Sequence, residues 1–150
     1  MTTTDAVATW ERLVRFHRLA TRAMDDHLRG RFGYSLDEYD VLHQIGAHGE
    51  PIQMGLLAER LLVANSSCNR IVGRLVDAGL LRRLTAGDDR RRVLVELTPS
   101  GRRLRTRMAA VHTRDIERWV GEPLSREAIA GLDEALRRLA PEDPPATEWV

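Results

Sequence analysis

The chain has 150 residues and a single cysteine, Cys68. This length is typical of one domain, and one cysteine excludes an internal disulfide. The sequence has no run of about 18 apolar residues, which a membrane-spanning helix would need. The N-terminus lacks a basic segment followed by an apolar core, so we expect a cytoplasmic protein without a secretory signal. The net charge of +1 by itself suggests no partner.

The charge is unevenly distributed along the chain. From Arg60 to Arg107 there are twelve arginines and four acids, whereas the rest of the chain has eleven arginines and eighteen acids. The middle therefore carries +8 and the remainder −7. A basic block of this kind indicates a nucleic-acid surface. The alternative is a solvated face in a protein whose basic residues are all arginine.

Helical periodicity dominates the first half of the chain. Apolar residues at helical spacing predict a long amphipathic helix over residues 5–29. Ser35 followed by Glu38 is a capping box that begins a second helix. The stretch "QMGLLAERLL" (53–62) predicts a short helix, and "VAN" predicts a turn. A further helix follows over 66–78, where Gly79 ends it.

Two short apolar strands follow, at 80–84 and 93–97, and "TAGDDRRR" between them indicates a long hairpin loop. Thr98 is expected to cap a helix that runs to about Val120 and has Pro99 at its first position. A last helix is predicted at about 125–140, and a loose tail at 141–150. The order predicts one domain, 1–150, mostly α with a small β-hairpin wing. Its winged helix-turn-helix occupies about 50–100.

Two sets of residues have the chemistry of DNA contacts. The outer face of helix 66–78 carries hydroxyl, amide and guanidinium groups, which hydrogen-bond base edges and phosphates; these are Ser66, Ser67, Asn69, Arg70 and Arg74. In the hairpin, Arg90 and Arg91 belong to a run of three arginines. Such a side chain can enter a narrow minor groove, with Asp89 as a local anchor. The alternative is a solvated loop.

Two segments resemble the MarR family of bacterial transcription regulators. They are "NSSCNRIVGRLVDAGLL" (65–81) and "GLLRRLTAGDDRRRVLVELTPSG" (79–101), the second through Asp89-x-Arg91 followed by Leu97-Thr98 and Gly101. Helix order and length agree over about 5–140. Ala64 stands where the family often has serine, so we expect Asn65 to cap the helix instead.

The resemblance implies a homodimer whose interlocking dimerisation helices are 5–29 and 98–140. It also implies that Ser66, Ser67, Asn69 and Arg70 face the major groove, and that Arg91, supported by Asp89, enters the minor groove. The partner would be a pseudo-palindromic double-stranded operator with half-sites about one helical turn apart.

The resemblance further implies control by a signal, such as a small aromatic or phenolic effector, an oxidant or a metal. Candidates to line an effector cleft are Trp10, His17, His43 and His112; alternatively, Trp10 and His17 belong to the dimer core. Cys68 is a candidate oxidant sensor, with a pKa lowered by Arg70 and the helix N-terminus; alternatively, it is a small buried residue. The scattered histidines predict no metal site, and we expect no cofactor.

Function classes other than DNA binding fit less well. No nucleophile–base set, phosphate-binding glycine loop or paired histidine motif stands out, so we expect no enzyme. A winged helix that binds protein would need an apolar or mixed recognition face, which the polar residues of 66–78 do not form. Together with the resemblance, which implies control by a signal, the sequence predicts a transcriptional repressor that a ligand releases from DNA.

Overall fold

The computed structural model describes residues 3–49, 51–86 and 89–140. In this part of the chain the elements follow one another as α1 (Thr3–Phe32), α2 (Leu36–His48), β1 (Ile52–Gln53), α3 (Met54–Leu61), α4 (Asn65–Asp77), β2 (Leu81–Ala86), β3 (Asp89–Leu97), α5 (Pro99–Ile116), a π-helical turn (Glu117–Gly121) and α6 (Arg126–Leu139). The predicted fold class, mostly α with a small β-hairpin, is confirmed. No helix in these ranges combines the length and the apolar character needed to cross a bilayer.

The start of α2 is held by the capping box that the sequence predicts. The backbone N–H of Glu38 donates to the Ser35 hydroxyl oxygen at 3.1 Å, and the backbone N–H of Ser35 donates to Glu38 Oε2 at 2.7 Å. Each side chain thus satisfies a backbone donor that the first helical turn would otherwise leave unpaired. At the other end, Gly49 has φ +77°, the left-handed conformation that commonly ends a helix.

The core lies between α2, α4, α5 and the sheet. Its buried side chains come from every element between the end of α1 and the middle of α5. The largest fully buried ones are Leu28, Tyr39, Leu42, Ile45, Ile52, Leu57, Leu75, Leu81, Leu97 and Met108. In α4 the buried residues recur at helical spacing, so one side of this helix is anchored in the core and the other remains available.

The sheet is antiparallel, with strand order β1-β3-β2. β1 is too short to show a period in the sequence, and the prediction missed it; Ile52 pairs with Val95. The prediction of a long hairpin loop over "TAGDDRRR" was also wrong, because β2 extends to Ala86 and β3 begins at Asp89. Strand pairing is made by backbone groups, so it can continue where the sequence shows no apolar alternation.

The helix ends differ from the predictions by a few residues. α1 extends beyond 5–29 at both ends. α4 begins at Asn65, so the prediction that Asn65 caps it was wrong. Ala64 occupies the cap position with extended backbone, whereas Asn65 is already helical, and its carbonyl accepts from Asn69 Nδ2 at 2.9 Å. The predicted cap of α5 is confirmed, since the Thr98 hydroxyl accepts from the Gly101 N–H at 3.1 Å.

The end of α4, the base of the wing and the start of α5 meet at one carbonyl group. The oxygen of Leu80 accepts from the backbone N–H of Thr98 at 3.0 Å. The Thr98 hydroxyl is shared between the carbonyl oxygens of Gly79 at 2.7 Å and Leu80 at 3.1 Å. Gly101 is buried against the same group, and a Cβ on it would lie 2.0 Å from the Leu80 oxygen. The glycine of "LTPSG" is therefore required by this close approach of two backbones.

Gly101→Ala is expected to destabilise the fold by about 1–3 kcal/mol, because the added methyl group would force α5 away from the Leu80 carbonyl. Chemical denaturation measures the change. Gly30→Ala is the matched control. Gly30 lies in α1, and a Cβ added there would meet no atom within 4 Å, so alanine should be neutral or stabilising. Equal effects of the two substitutions would contradict the assigned role of Gly101.

Candidate nucleic-acid interface

α3 and α4 form a helix-turn-helix whose turn has one strained residue. Leu62 has φ +54°, and no other non-glycine residue among those described has a positive φ. Its backbone N–H donates to the Glu59 carbonyl at 3.1 Å, and that of Val63 to the Ala58 carbonyl at 3.1 Å. These two bonds end α3 and reverse the chain, which places the start of α4 at the protein surface.

α4 has two chemically distinct faces. Its buried face consists of Cys68, Ile71, Val72 and Leu75. The opposite face carries the residues predicted from the sequence as DNA contacts: Ser66, Asn69, Arg70 and Arg74 are exposed, and Ser67 is half-buried. The structure therefore brings all five predicted residues of this helix together on the outer side, with hydroxyl, amide and guanidinium groups side by side.

The first turn of α4 also presents backbone donors. Ala64 at the cap position has a methyl side chain and cannot accept a hydrogen bond from this turn. The N–H groups there consequently lack the side-chain acceptor that α2 and α5 have. Free N–H groups at a helix N-terminus favour an external anion such as a phosphate.

Arg74 is held from behind by α2. Its guanidinium Nη2 lies 3.5 Å from Glu38 Oε1, and the side chain of Glu38 is only 10% exposed while that of Arg74 is 51% exposed. The sequence singled out Glu38 only as a cap, so this ion pair was missed. A charge two helices away in sequence gives no local signal.

The wing follows directly from α4. Arg82 of β2 and Glu96 of β3 are cross-strand partners, and Arg82 Nε donates to Glu96 Oε1. The backbone of β3 includes Asp89, Arg90 and Arg91. The side chains of these three predicted contacts lie outside the part of the chain that the structure describes.

A cavity of about 200 Å³ separates α2 from the turn and first half of α4. Its lining includes Asp40 of α2 and Ser67, Arg70 and Ile71 of α4. Burial, with a smaller contribution from the negative charge of Asp37, raises the pKa of Asp40 to about 7. A carboxyl group thus titrates close to neutral pH directly beside the outer face of α4.

Cys68 does not have the environment that an oxidant sensor needs. The thiol is fully buried in the hydrophobic core, and burial raises its pKa above the ordinary value. The expectation of a lowered pKa was wrong, because Arg70 points to the exposed side of α4 whereas Cys68 points to the core. The alternative interpretation, a small packed residue, fits this environment.

The four candidate effector residues lie in two separate places. His43 and His112 are buried beside Tyr39, with ring centroids 5.7 and 4.9 Å from that of the tyrosine. Burial, followed by the charge of Arg105, lowers the pKa of His43 to about 4. Burial also lowers the pKa of His112, although the charge of Asp115 opposes this. Both imidazoles are therefore neutral at physiological pH.

Trp10 and His17 lie on the exposed side of α1. Trp10 is 65% exposed and borders an open groove of about 630 Å³. His17 borders a second groove of about 410 Å³, which also contains Arg22 of α1 and Asp37 of α2. In the described part of the subunit, neither of these two grooves has His43 or His112 in its lining. Among residues 3–49, 51–86 and 89–140, no three His, Cys, Asp or Glu side chains cluster in a way that could hold a metal ion.

Comparisons with known proteins point to one family. A family model described as MarR family matches residues 32–92. The chain is similar to PecS of Dickeya dadantii, an HTH-type transcriptional regulator, with 32% identity over 129 residues that cover 85% of this chain and 76% of PecS.

Two solved structures are similar to the whole fold. AbsC, a MarR family transcriptional regulator from Streptomyces coelicolor, is 27% identical with a TM-score of 0.83, covering 93% of this chain and 94% of AbsC. A mutant of MarR from E. coli, solved in complex with operator DNA, is 22% identical with a TM-score of 0.79, covering 93% of this chain and 99% of that one.

Asp40→Asn is expected to raise the melting temperature at pH 8 and to have much less effect near pH 4. The ordinary pKa of the carboxyl is 3.8 and that of the folded protein is about 7. As the pH rises between these values, the unfolded chain loses the proton first, so the folded state loses stability that it retains at lower pH. Thermal unfolding followed by circular dichroism at both pH values measures the difference.

Asp26→Asn makes the same change of charge at an exposed site of α1 and serves as the control. If Asp40→Asn gave the same shift at pH 4 and pH 8, the burial of an ionised Asp40 would not be the cause.

Proposed function

This chain belongs to the MarR family of transcriptional regulators, and from that premise we propose that it is a cytoplasmic homodimer that binds a specific DNA sequence. It acts as a repressor, and a ligand releases it from its operator. The observation that carries the proposal is the outer face of α4, where Ser66, Asn69, Arg70 and Arg74 lie exposed together within the basic block of the chain. These groups match the donors and acceptors of a major groove.

The wing supplies the second contact in this proposal. Arg91 enters the minor groove, with Asp89 and Arg90 beside it in the sequence. A guanidinium group is attracted there because the narrow groove concentrates the negative potential of the phosphates. Half-sites one helical turn apart would then be read by the two subunits of a twofold dimer.

The dimer in this proposal forms through α1 and α6. Both helices expose apolar rows: Val7, Trp10, Phe16 and Leu19 on α1, and Ile129, Leu132, Leu136 and Leu139 on α6. Rows of this size are uncommon on the surface of a monomer and favour an interface. Phe16 contacts Trp119 edge-on, with ring centroids 6.3 Å apart, which brings α1 beside the end of α5.

The ligand in this proposal is a small aromatic or phenolic compound. Trp10, with Arg15 and Arg18 along the same groove, offers an aromatic surface and positive charge. His17, His43 and His112 remain candidates for the same role in the assembled dimer. The ligand would act by binding one of two dimer conformations more tightly, since equal affinity for both would shift nothing. Oxidant control through Cys68 is disfavoured by the burial of its thiol.

Leu132→Asp is expected to convert the dimer to a folded monomer, because it places a charge in the apolar row of α6 without touching the core of the subunit. Size-exclusion chromatography with light scattering measures the mass. Ala130→Asp puts the same charge on the opposite face of α6 and should leave the dimer intact. Dimers in both variants would show that this face is not the interface.

Arg91→Ala is expected to weaken DNA binding by about 1–3 kcal/mol while the dimer persists. Fluorescence anisotropy measures the affinity at two salt concentrations, with a labelled duplex from the region upstream of the protein's own gene and with a scrambled duplex. Arg126→Ala, which removes an exposed arginine from α6, is the matched control. Binding by Arg91→Ala as tight as by the wild type would refute the role of the wing. Equal binding of both duplexes at either salt would show that this upstream region lacks the operator.

A further inference from the structure

The carboxylate of Glu38 serves two helices at once. Its Oε2 accepts from the backbone N–H of Ser35 at 2.7 Å and so completes the cap of α2. Its Oε1 faces Arg74 of α4, with 3.5 Å to the nearest guanidinium nitrogen. The residue is buried, with 7% of its surface exposed. The short bond to the backbone holds this charge in one place, and a fixed charge can orient a flexible partner.

Arg74 is well suited to being oriented in this way. A guanidinium group has five N–H donors in a rigid plane, and a single ion pair leaves most of them available. The Arg74 side chain remains 51% exposed while it contacts Glu38. A free arginine side chain loses rotamer entropy when it is immobilised. An arginine already held at its inner edge loses less of that freedom when its outer edge meets a phosphate.

The start of α2 is itself tied to α1. The backbone N–H of Leu36 donates to Asp25 Oδ1 at 2.8 Å, and Arg29 Nε donates to the other oxygen of Asp25 at 2.7 Å. Asp25, the cap of α2, Glu38 and Arg74 thus form a continuous polar path from α1 to the outer face of α4. The orientation of Arg74 therefore depends on the position of α1, one of the two helices proposed to form the dimer.

We propose that Glu38 is a positioning residue for DNA binding, which holds the guanidinium of Arg74 in the orientation that contacts the DNA backbone. This inference rests on the proposed function, because it needs Arg74 to face DNA. Glu38 could also have the opposite effect on DNA affinity: a carboxylate beside an arginine neutralises part of its charge, which would weaken the attraction to phosphate. The two effects differ in sign, so one substitution separates them.

Glu38→Gln is the informative variant. The glutamine amide oxygen can still accept from the Ser35 N–H, so the cap of α2 and the size of the side chain are retained, whereas the ion pair with Arg74 is lost. Ser35→Ala is the matched control: it removes the hydroxyl half of the cap and leaves the carboxylate in place. It should lower the melting temperature without changing the DNA affinity of the folded protein.

The experiment is a double-mutant cycle on the intact protein. Dissociation constants are measured by fluorescence anisotropy for the wild type, Glu38→Gln, Arg74→Ala and the double variant. The probe is a duplex carrying a site that the wild type selects from a random library. We expect Glu38→Gln to weaken binding about fivefold, because Arg74 would then lose more rotamer freedom on meeting the DNA; this is the size of effect typical of one solvent-exposed ion pair. In the Arg74→Ala background the same substitution should change nothing.

Three results would overturn the inference. Unchanged or tighter binding by Glu38→Gln would mean that the carboxylate only neutralises Arg74 or has no effect. An equal loss in the Arg74→Ala background would mean that Glu38 acts through the fold and not through the arginine. Failure of the wild type to select any site would remove the proposed function and this inference together, whereas the first two results leave the proposed function intact.

Discussion

The geometry of this protein depends on the close contact between the Leu80 carbonyl and the first turn of α5. Thr98 binds that carbonyl with its N–H and its hydroxyl, and Gly101 allows the two backbones to approach. α4 ends just before Leu80, β2 begins just after it, and β3 ends just before Thr98. The angle between the recognition face and the wing is therefore set where three elements converge, and it is not set by the wing itself. A rigid junction matters because the outer face of α4 and the wing must keep a fixed relative position to contact the same duplex.

The charged side chains of α4 and α2 lie in two layers. The outer face of α4 is rich in arginine, whereas α2 behind it presents acids. Of these, Glu38 is paired with Arg74 across the helices, and Asp40 lines the same cavity as Arg70. Glu38 is buried and Asp40 is half-buried, so both acids lie on the inner side of the exposed arginines. The same arrangement makes the region sensitive to pH, because desolvation brings the pKa of Asp40 to about 7.

Local signals in the sequence predicted the fold well. The capping box at Ser35 and Glu38, the Thr98-Pro99 helix start and the apolar period of α4 each act over a few residues, and each was confirmed. The errors have physical causes of longer range. Asn65 was expected to cap α4, but the turn that ends α3 brings Ala64 into the cap position. The extension of the strands toward Asp89 depends on backbone pairing, which leaves no apolar pattern.

The candidate site was predictable in part for the same reason. The outward residues of α4 follow from helical period alone, so all five were placed correctly on one surface. The environment of Cys68 was not predictable, because burial depends on what the rest of the chain packs against it. Similarly, the ion pair of Glu38 with Arg74 and the meeting of His43 and His112 at Tyr39 arise only once α2, α4 and α5 are assembled. The candidate effector residues are spread over α1, α2 and α5 and form no local pattern in the sequence.

The burial of Cys68 has a practical consequence for spectroscopy. It is the only cysteine of the chain, and its thiol is inaccessible in the folded core. A second cysteine introduced on the surface would therefore react with a spin label or a dye while the native one stays unlabelled. Ala78→Cys, at the exposed end of α4, would give each subunit one reporter. The distance between two such reporters in a dimer measures the separation of its recognition helices directly, with and without DNA.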